Sequence, residues 1–511
     1  MSRHRSRLTH RGTKPLDQHA LDEPRTWTGH WWRTDLPDER VPGVLYWDPS
    51  EGLRLDLIGG WSTPPETTRV EGDTKVTTIS SRSLPSWPVL HGLANGKAIT
   101  LIEPDVTRQQ TFRLSDFLGA PSATSVRATA ALIGCHLTDA DDPAFIAGSA
   151  TVENLSAWAG RSGIEMAHTF DAPIGEVSGQ IELRRLAALE TTIPDFTVKL
   201  HTNAWQPYDQ DSRAGRMARV KERNTVEFAR GAGASVSDLL TALGSIGDLV
   251  SLASLRACGI ITTHLYLPPT PERYPAGHPF GSMRPEVEVY TRRIVMPDPD
   301  ADAVDHRGFV MTLADLPFEE LLPRWMEIHE RFSAARGMVL GLRYVSDGYI
   351  ETRVVTAVAA AESFHRALEE EPPMPAEEFT KVRKLALAAV PKEHRQWLAN
   401  KLMRNEPTLK QRLLELGSRP GQFMNKLLPN PEAWAKAAGA ARNGVAHTGA
   451  PDDMTAEQMH AVSEVTAAVV VLNLLYELGI PEERLAEALE NQDSLSFAAT
   501  LAHRYFPAST A

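Results

Sequence analysis

The dominant periodicity of the chain changes near residue 310, and that change limits what it can fold into. Before it, short apolar runs are cut by the turn signals Asp48-Pro49, Thr63-Pro64-Pro65 and Asn95-Gly96; beyond it, apolar residues return every three or four positions. Leu53, Leu55 and Leu57 alternate with Arg54 and Asp56, which predicts a half-buried strand with one wet face. Strands are expected over 43–47, 53–59, 75–79, 97–102 and 125–137, in an antiparallel sandwich or partly open barrel. A second β-rich stretch predicts strands over 179–184, 195–201, 225–229, 259–267 and 286–296, interrupted by an apolar helix over 236–256. Its long polar connections, 206–219 and 268–284, read as exposed loops. The two stretches can form one sheet assembly or two subdomains splitting near 150–170. The class is α+β: a β-rich N-terminal domain over 26–310, a helical connector over 311–350, and an all-α bundle over 351–511. Residues 1–25, with Arg3, Arg5, Arg7, Arg11 and Lys14, read as a basic disordered arm.

Within the helical part, 313–336 predicts one or two helices broken at Pro317 and Pro323, and 337–345 a strand or a link. A long helix over 351–368 carries the stripe Val354, Val358, Ala361, His365 and Leu368. Two helices follow over 379–416. Thr455 and Gln458 form a capping box, Val462, Val465, Val469, Leu472 and Tyr476 a stripe, and Gly479 with Pro481 a stop. That helix suits a bundle core or a dimer seam.

One segment has residue types suited to chemistry. Asn430 caps, Pro431 opens and Gly449 ends a helix whose apolar stripe is Trp434, Ala437, Ala438, Ala441 and Val445. Arg442, Asn443 and His447 lie off that stripe. At about 100° per residue, Asn443 and His447 share a face, while Arg442 and His447 diverge by roughly 140°. They can converge if the last turn unwinds before Gly449 or if a second copy of the helix supplies half the site. Arginine offers phosphate a fixed fork of donors, and histidine titrates near neutrality, so it can take a proton from a ribose 2′-hydroxyl or give one to a leaving 5′-oxygen. Asn443 can orient either group. Glu362, on the flank of its helix stripe, is placed to pair with Arg442 or His447. The plain alternatives are a cationic helix end favoured by the dipole and an exposed helix carboxylate.

The net charge of −12 speaks against a nucleic-acid partner until its distribution is counted. Between Lys381 and Lys426 stand eleven Lys and Arg (381, 383, 384, 392, 395, 401, 404, 410, 412, 419, 426) against three Glu (393, 406, 415), a local +8. Arg395, Lys401, Lys410 and Arg412 are the candidate RNA contacts, with solvated helix faces as the alternative. The aromatic residues Trp31, Trp32, Trp205, Tyr208, Tyr266 and Tyr274 offer a stacking surface or, more simply, a β-domain core. Cys135 and Cys258 lie far apart without metal spacing, and no metal-ligand motif, phosphate loop, secretion signal or membrane span is read in the sequence. A metal-independent, cofactor-free, cytoplasmic protein is expected.

The C-terminal part resembles a HEPN domain, whose signature is an Arg, a polar residue, and a His after four to six intervening residues. The chain as a whole is similar to the ApeA-like antiphage proteins through Gly29-His30-Trp31-Trp32, Val41-Pro42-Gly43-Val44-Leu45, Leu53-Arg54-Leu55-Asp56-Leu57-Ile58-Gly59, Val89-Leu90-His91-Gly92, Ile99-Thr100-Leu101, Leu155-Ser156-Ala157-Trp158 and Ala361-Glu362-Ser363-Phe364-His365-Arg366. The resemblance implies an abortive-infection endoribonuclease. Two copies would face each other with Arg442 and His447 of both in one cleft, acting on single-stranded or loop RNA, tRNA included, after a phage-derived trigger. The reading from another class is a non-catalytic dimeric interaction or RNA-binding protein with a β-rich ligand-binding domain.

Overall fold

The computed structural model describes the chain except residues 1–19, 62–67, 72–73, 78–85, 110–122, 172–175, 214, 272–277, 346–347, 370–371, 450–453 and 509–511. It divides into two compact units: Met1–Glu153, Pro194–Gly247 and Cys258–Asp302 form the first, and Asn154–Ile193, Asp248–Ala257 and Ala303–Ala511 the second.

The strands in chain order are β1 (Arg25–Arg33), β2 (Val41–Asp48), β3 (Gly52–Ile58), β4 (Thr68–Glu71), β5 (Thr74–Thr77), β6 (Val89–Ala94), β7 (Lys97–Ile102), β8 (Asp105–Gln109), β9 (Ala123–Ala128), β10 (Ala130–Ile133), β11 (Phe145–Val152), β12 (Ile164–Asp171), β13 (Glu176–Leu183), β14 (Leu189–Thr192), β15 (Thr197–Ser212), β16 (Gly215–Ala234), β17 (Ile260–Tyr266) and β18 (Glu286–Thr291). In the first unit all but β4 and β5, which pair with each other, join one sheet in the order β15-β16-β11-β17-β18-β10-β7-β6-β1-β2-β3-β9-β8. The two β-rich stretches thus share one sheet, with β10 paired antiparallel to β7 on one side and β18 on the other.

The expected alternation holds in β3, where Leu53, Leu55 and Leu57 are buried while Arg54 stacks outward on Tyr46. Trp31 pairs in register with Gly92, and a Cβ at Gly92 would lie 2.3 Å from the Trp31 ring, so only glycine lets the indole lie flat across the strand. Trp31 and Trp32 are core residues, and Tyr266 lies under Arg284; neither forms a stacking surface. Tyr274 and the Tyr208 side chain lie outside the described residues, whereas Trp205 is half-buried beneath Lys221 and Arg223. The expected loop 206–219 is instead the outer part of the long β15–β16 hairpin, paired as far as Ser212 and Gly215. The basic arm falls in residues 1–19, outside the described residues, except at its end. There Leu21 is buried and accepts a hydrogen bond from Trp47 Nε1 (3.1 Å), so the fold has begun before residue 25.

The helices are α1 (Leu155–Ala159), α2 (Val236–Ser254), α3 (Phe318–Arg331), α4 (Ser333–Tyr344), α5 (Ile350–Ala367), α6 (Ala376–Ala389), α7 (Lys392–Lys401), α8 (Leu409–Ser418), α9 (Met424–Leu427), α10 (Pro431–Thr448), α11 (Ala456–Glu477), α12 (Glu482–Asn491) and α13 (Asp493–Tyr505). Three expectations fail here, the first being the two helices over 379–416, which are three, α6, α7 and α8. Pro323 lies inside α3 without breaking it. Its ring leaves the Glu319 carbonyl without an intrahelical donor, and the Thr191 hydroxyl donates to that oxygen instead (3.3 Å). The expected strand or link at 337–345 is α4, whose Ala335, Val339, Leu340 and Leu342 are buried and which packs beside α5.

Helix α11 has the expected capping box and ends before Gly479, in the left-handed region at φ 87°. Its apolar surface is not one stripe. Residues from Ala461 to Leu475 are buried on every side, because α4, α5, α8, α10, α12 and α13 surround it. It is the core of the bundle and leaves no face for a dimer seam. Asn473, fully buried there, donates to Leu416 O (3.0 Å) and Val469 O (2.9 Å), tying α11 to α8. By length and composition α2 and α11 could cross a membrane, yet 67% and 89% of those windows are buried within the fold.

Candidate active site

Helix α10 forms as its caps dictate. The Asn430 side chain accepts from Ala433 N (3.0 Å), Pro431 takes the first position, and Gly449 closes the helix at φ 81° with its N–H on Val445 O (3.1 Å). Trp434, Ala435, Ala438 and Ala441 form its buried face. Val445, expected on the stripe, is only half-buried. Trp434 Nε1 donates to Thr466 Oγ1 on α11 (3.1 Å) and locks the rotation of the helix.

That rotation sets Arg442 half-buried and Asn443 exposed, side by side on α10. Arg442 Nη1 donates to Asn443 Oδ1 (3.2 Å), so the amide orients the guanidinium; Arg442 forms no ion pair with a described residue. Its remaining donors are available to an anion. His447 belongs to the last turn of α10, and its side chain lies outside the described residues. The helix continues to Thr448, so the backbone does not unwind before Gly449. On a regular helix, positions 442 and 447 are about 140° apart around the axis and about 7.5 Å apart along it.

Glu362 does not join Arg442. Its carboxylate accepts from Arg366 Nη2 one turn along α5 (2.9 Å), and Arg366 also faces Glu406 (3.7 Å). The helix directions explain this. Arg353, in the first turn of α5, pairs with Glu464 on α11 (3.2 Å). At the other end Arg331 donates to Ala367 O (3.0 Å) and faces Glu477 (3.9 Å), so α5 and α11 run parallel. Trp434, in the first turn of α10, bonds Thr466 midway along α11 (3.1 Å), and only residues 449–455 separate the end of α10 from the start of α11, so α10 runs against both. Arg442 therefore lies toward the start of α5, and Glu362 in the opposite half.

The basic segment separates into parts with different surroundings. Arg412 is a correction to the expected RNA contacts, being buried. Its guanidinium donates to Pro407 O (3.1 Å), Glu406 Oε2 (3.0 Å) and His365 Nδ1 (3.1 Å). Because a guanidinium can only donate, Nδ1 of His365 accepts, which leaves Nε2–H to donate to Glu415. Lys410 pairs with Glu432. Arg395 turns back onto Val390 O (3.2 Å) at the end of α6. Lys401 is exposed and has no ion-pair partner among the described residues. Sequence reasoning passed over Trp397, whose 64% exposure is large for an indole. The signal available was its place four residues before Lys401, inside the basic run.

Among the described residues no three His, Cys, Asp or Glu side chains cluster as metal ligands. Two family models match the chain: ApeA N-terminal domain 1 over residues 26–325, and Apea-like HEPN over residues 355–484. No curated protein matches it, and no solved structure does.

Proposed function

From the premise that this chain belongs to the ApeA family and ends in an Apea-like HEPN domain, an antiphage-defence effector of HEPN type, we propose that it is a metal-independent endoribonuclease. The observation that carries the reading is the Arg442–Asn443 pair on the exposed side of α10, oriented and without a carboxylate partner among the described residues, one turn and a half before His447. Arg442 holds the scissile phosphate and stabilises the charge that develops on it. His447 takes the proton of the 2′-hydroxyl as that oxygen attacks phosphorus; the bond to the 5′-oxygen breaks, and the leaving oxygen gains a proton from the acid partner. The products are a 2′,3′-cyclic phosphate and a 5′-hydroxyl.

Because α10 is helical through Thr448, positions 442 and 447 lie about 140° apart around it, and the proposed centre is composite, built by two copies of the domain. RNA enters as a single strand or loop, since the 2′-oxygen needs an in-line geometry that a duplex forbids. In this proposal the β-rich domain senses a phage-derived trigger, and the protein works as a cytoplasmic homodimer. Glu362 has no part in the centre.

The test is RNA cleavage by purified full-length protein in excess EDTA, with end-group analysis. Cleavage with cyclic phosphate ends is expected, and His447→Ala should lower the rate by about 10²–10⁴ while remaining folded. Loss of activity in EDTA with recovery in Mg²⁺ would overturn the mechanism.

A further inference from the structure

Helices α6 and α7 form a hairpin in which no residue of either is buried. Solvation of a polar hairpin would account for that, but this hairpin is not simply polar. Leu385 is 71% exposed, Trp397 64% and Met403, just beyond α7, 63%. Such side chains left in water mark a surface that something else covers. Between residues 381 and 404 seven cations (381, 383, 384, 392, 395, 401, 404) stand against the single carboxylate Glu393, a net +6 in a chain of net −12. Lys381, Lys384, Lys392 and Lys401 are exposed and have no ion-pair partner among the described residues.

The helical positions bring the two kinds of residue together. Lys381, Lys384 and Leu385 fall on one face of α6, and Lys401 follows Trp397 by four residues on one face of α7. Arg395 fixes the hairpin by donating to Val390 O (3.2 Å) and Ala388 O (3.5 Å), the last carbonyls of α6. An exposed indole beside unpaired lysines is the arrangement that binds an unpaired polyanion, with a base stacked on the ring and phosphates on the ammonium groups. A second copy of the same hairpin fits worse, because it would set +6 against +6.

We propose that the α6–α7 hairpin is a single-stranded RNA arm, with Trp397 as its stacking platform and Lys381, Lys384 and Lys401 as its phosphate contacts. This rests on the reading of the protein as an RNA-cutting enzyme and specifies how the substrate is held. Helix α8, whose cations are already paired or buried, contributes nothing to the arm.

The experiment measures binding of a fluorescein-labelled unstructured RNA oligonucleotide to the full chain carrying His447→Ala, which prevents cleavage. Adding Trp397→Ala should raise Kd about tenfold or more with the salt dependence unchanged, and Trp397→Phe should retain most of the affinity. Lys381→Ala, Lys384→Ala and Lys401→Ala together should flatten the plot of log K against log salt by about 2, at ~0.7 per phosphate of a single strand. With His447 intact, Trp397→Ala should raise KM and leave kcat nearly unchanged. If Trp397→Ala binds RNA as its parent does, the inference is overturned. It is overturned equally if the substitution instead turns a dimer into a monomer in sedimentation, for then the face joins copies. If the chain with His447 intact never cuts RNA yet binding depends on Trp397 and the lysines, the arm stands and the proposed enzyme falls.

Discussion

Helix α8 and the α6–α7 hairpin come from one basic run, yet they differ in nearly every structural respect. α8 buries Leu413 and Leu416, and its two central cations have found partners: Arg412 with Glu406, His365 and Pro407, and Lys410 with Glu432. α6 and α7 bury nothing and leave four lysines exposed. What decides the outcome is the apolar stripe, because a helix drawn into the core meets carboxylates from other segments. Glu432, which neutralises Lys410, lies beyond the run altogether. A charge count along the sequence therefore overstates the cationic surface wherever the helix packs.

Replacing Arg412 by Ala is the sharpest way to break this contrast. Truncating one partner of a buried ionic cluster costs about 3–5 kcal/mol. The variant should melt far below the parent in calorimetry, whereas Lys401→Ala should melt with it. Equal melting curves for the two variants would erase the distinction between structural and surface cations.

A smaller effect probes the second unit through Asp248. Burial alone would raise its carboxyl pKa, but hydrogen bonds from His329 and Tyr344 (2.8 Å from the hydroxyl) and the charge of Arg336 outweigh burial, and the value is lowered. A carboxylate whose folded pKa is depressed stabilises the fold fully above the unfolded value, about 3.9, and loses that stabilisation as pH falls through the folded value. Stability should therefore drop below about pH 4. Asp248→Asn should be destabilised at neutral pH and show a shallower acid limb. An acid limb unchanged by the substitution would mean that other carboxylates control it.

Much of the candidate site was legible because it is local. Asn430, Pro431 and Gly449 define α10, and Thr455 with Gln458 defines the start of α11, through bonds spanning only a few residues. The divergence of Arg442 and His447 follows from helix geometry once those ends are known. What depends on distant partners was not legible. The order of the sheet places β10 beside β18, more than a hundred residues later. Pro323 reads as a breaker until Thr191 satisfies the carbonyl it frees. The separation of Glu362 from Arg442 depends on α5 and α10 running in opposite directions, which no stripe on either helix encodes. The outer β15–β16 hairpin looked like a loop because its polar residues have no buried face to set an alternation.

If the catalytic centre takes residues from two copies, mixing subunits will reveal it. Arg442→Ala and His447→Ala proteins, each inactive alone, are combined under conditions that exchange subunits, and heterodimers carrying two different tags are isolated. The heterodimer should regain measurable RNA cleavage, because one chain still supplies Arg442 and the other His447. A purified heterodimer as inactive as either parent, or a wild-type protein that cuts RNA while strictly monomeric, would contradict it.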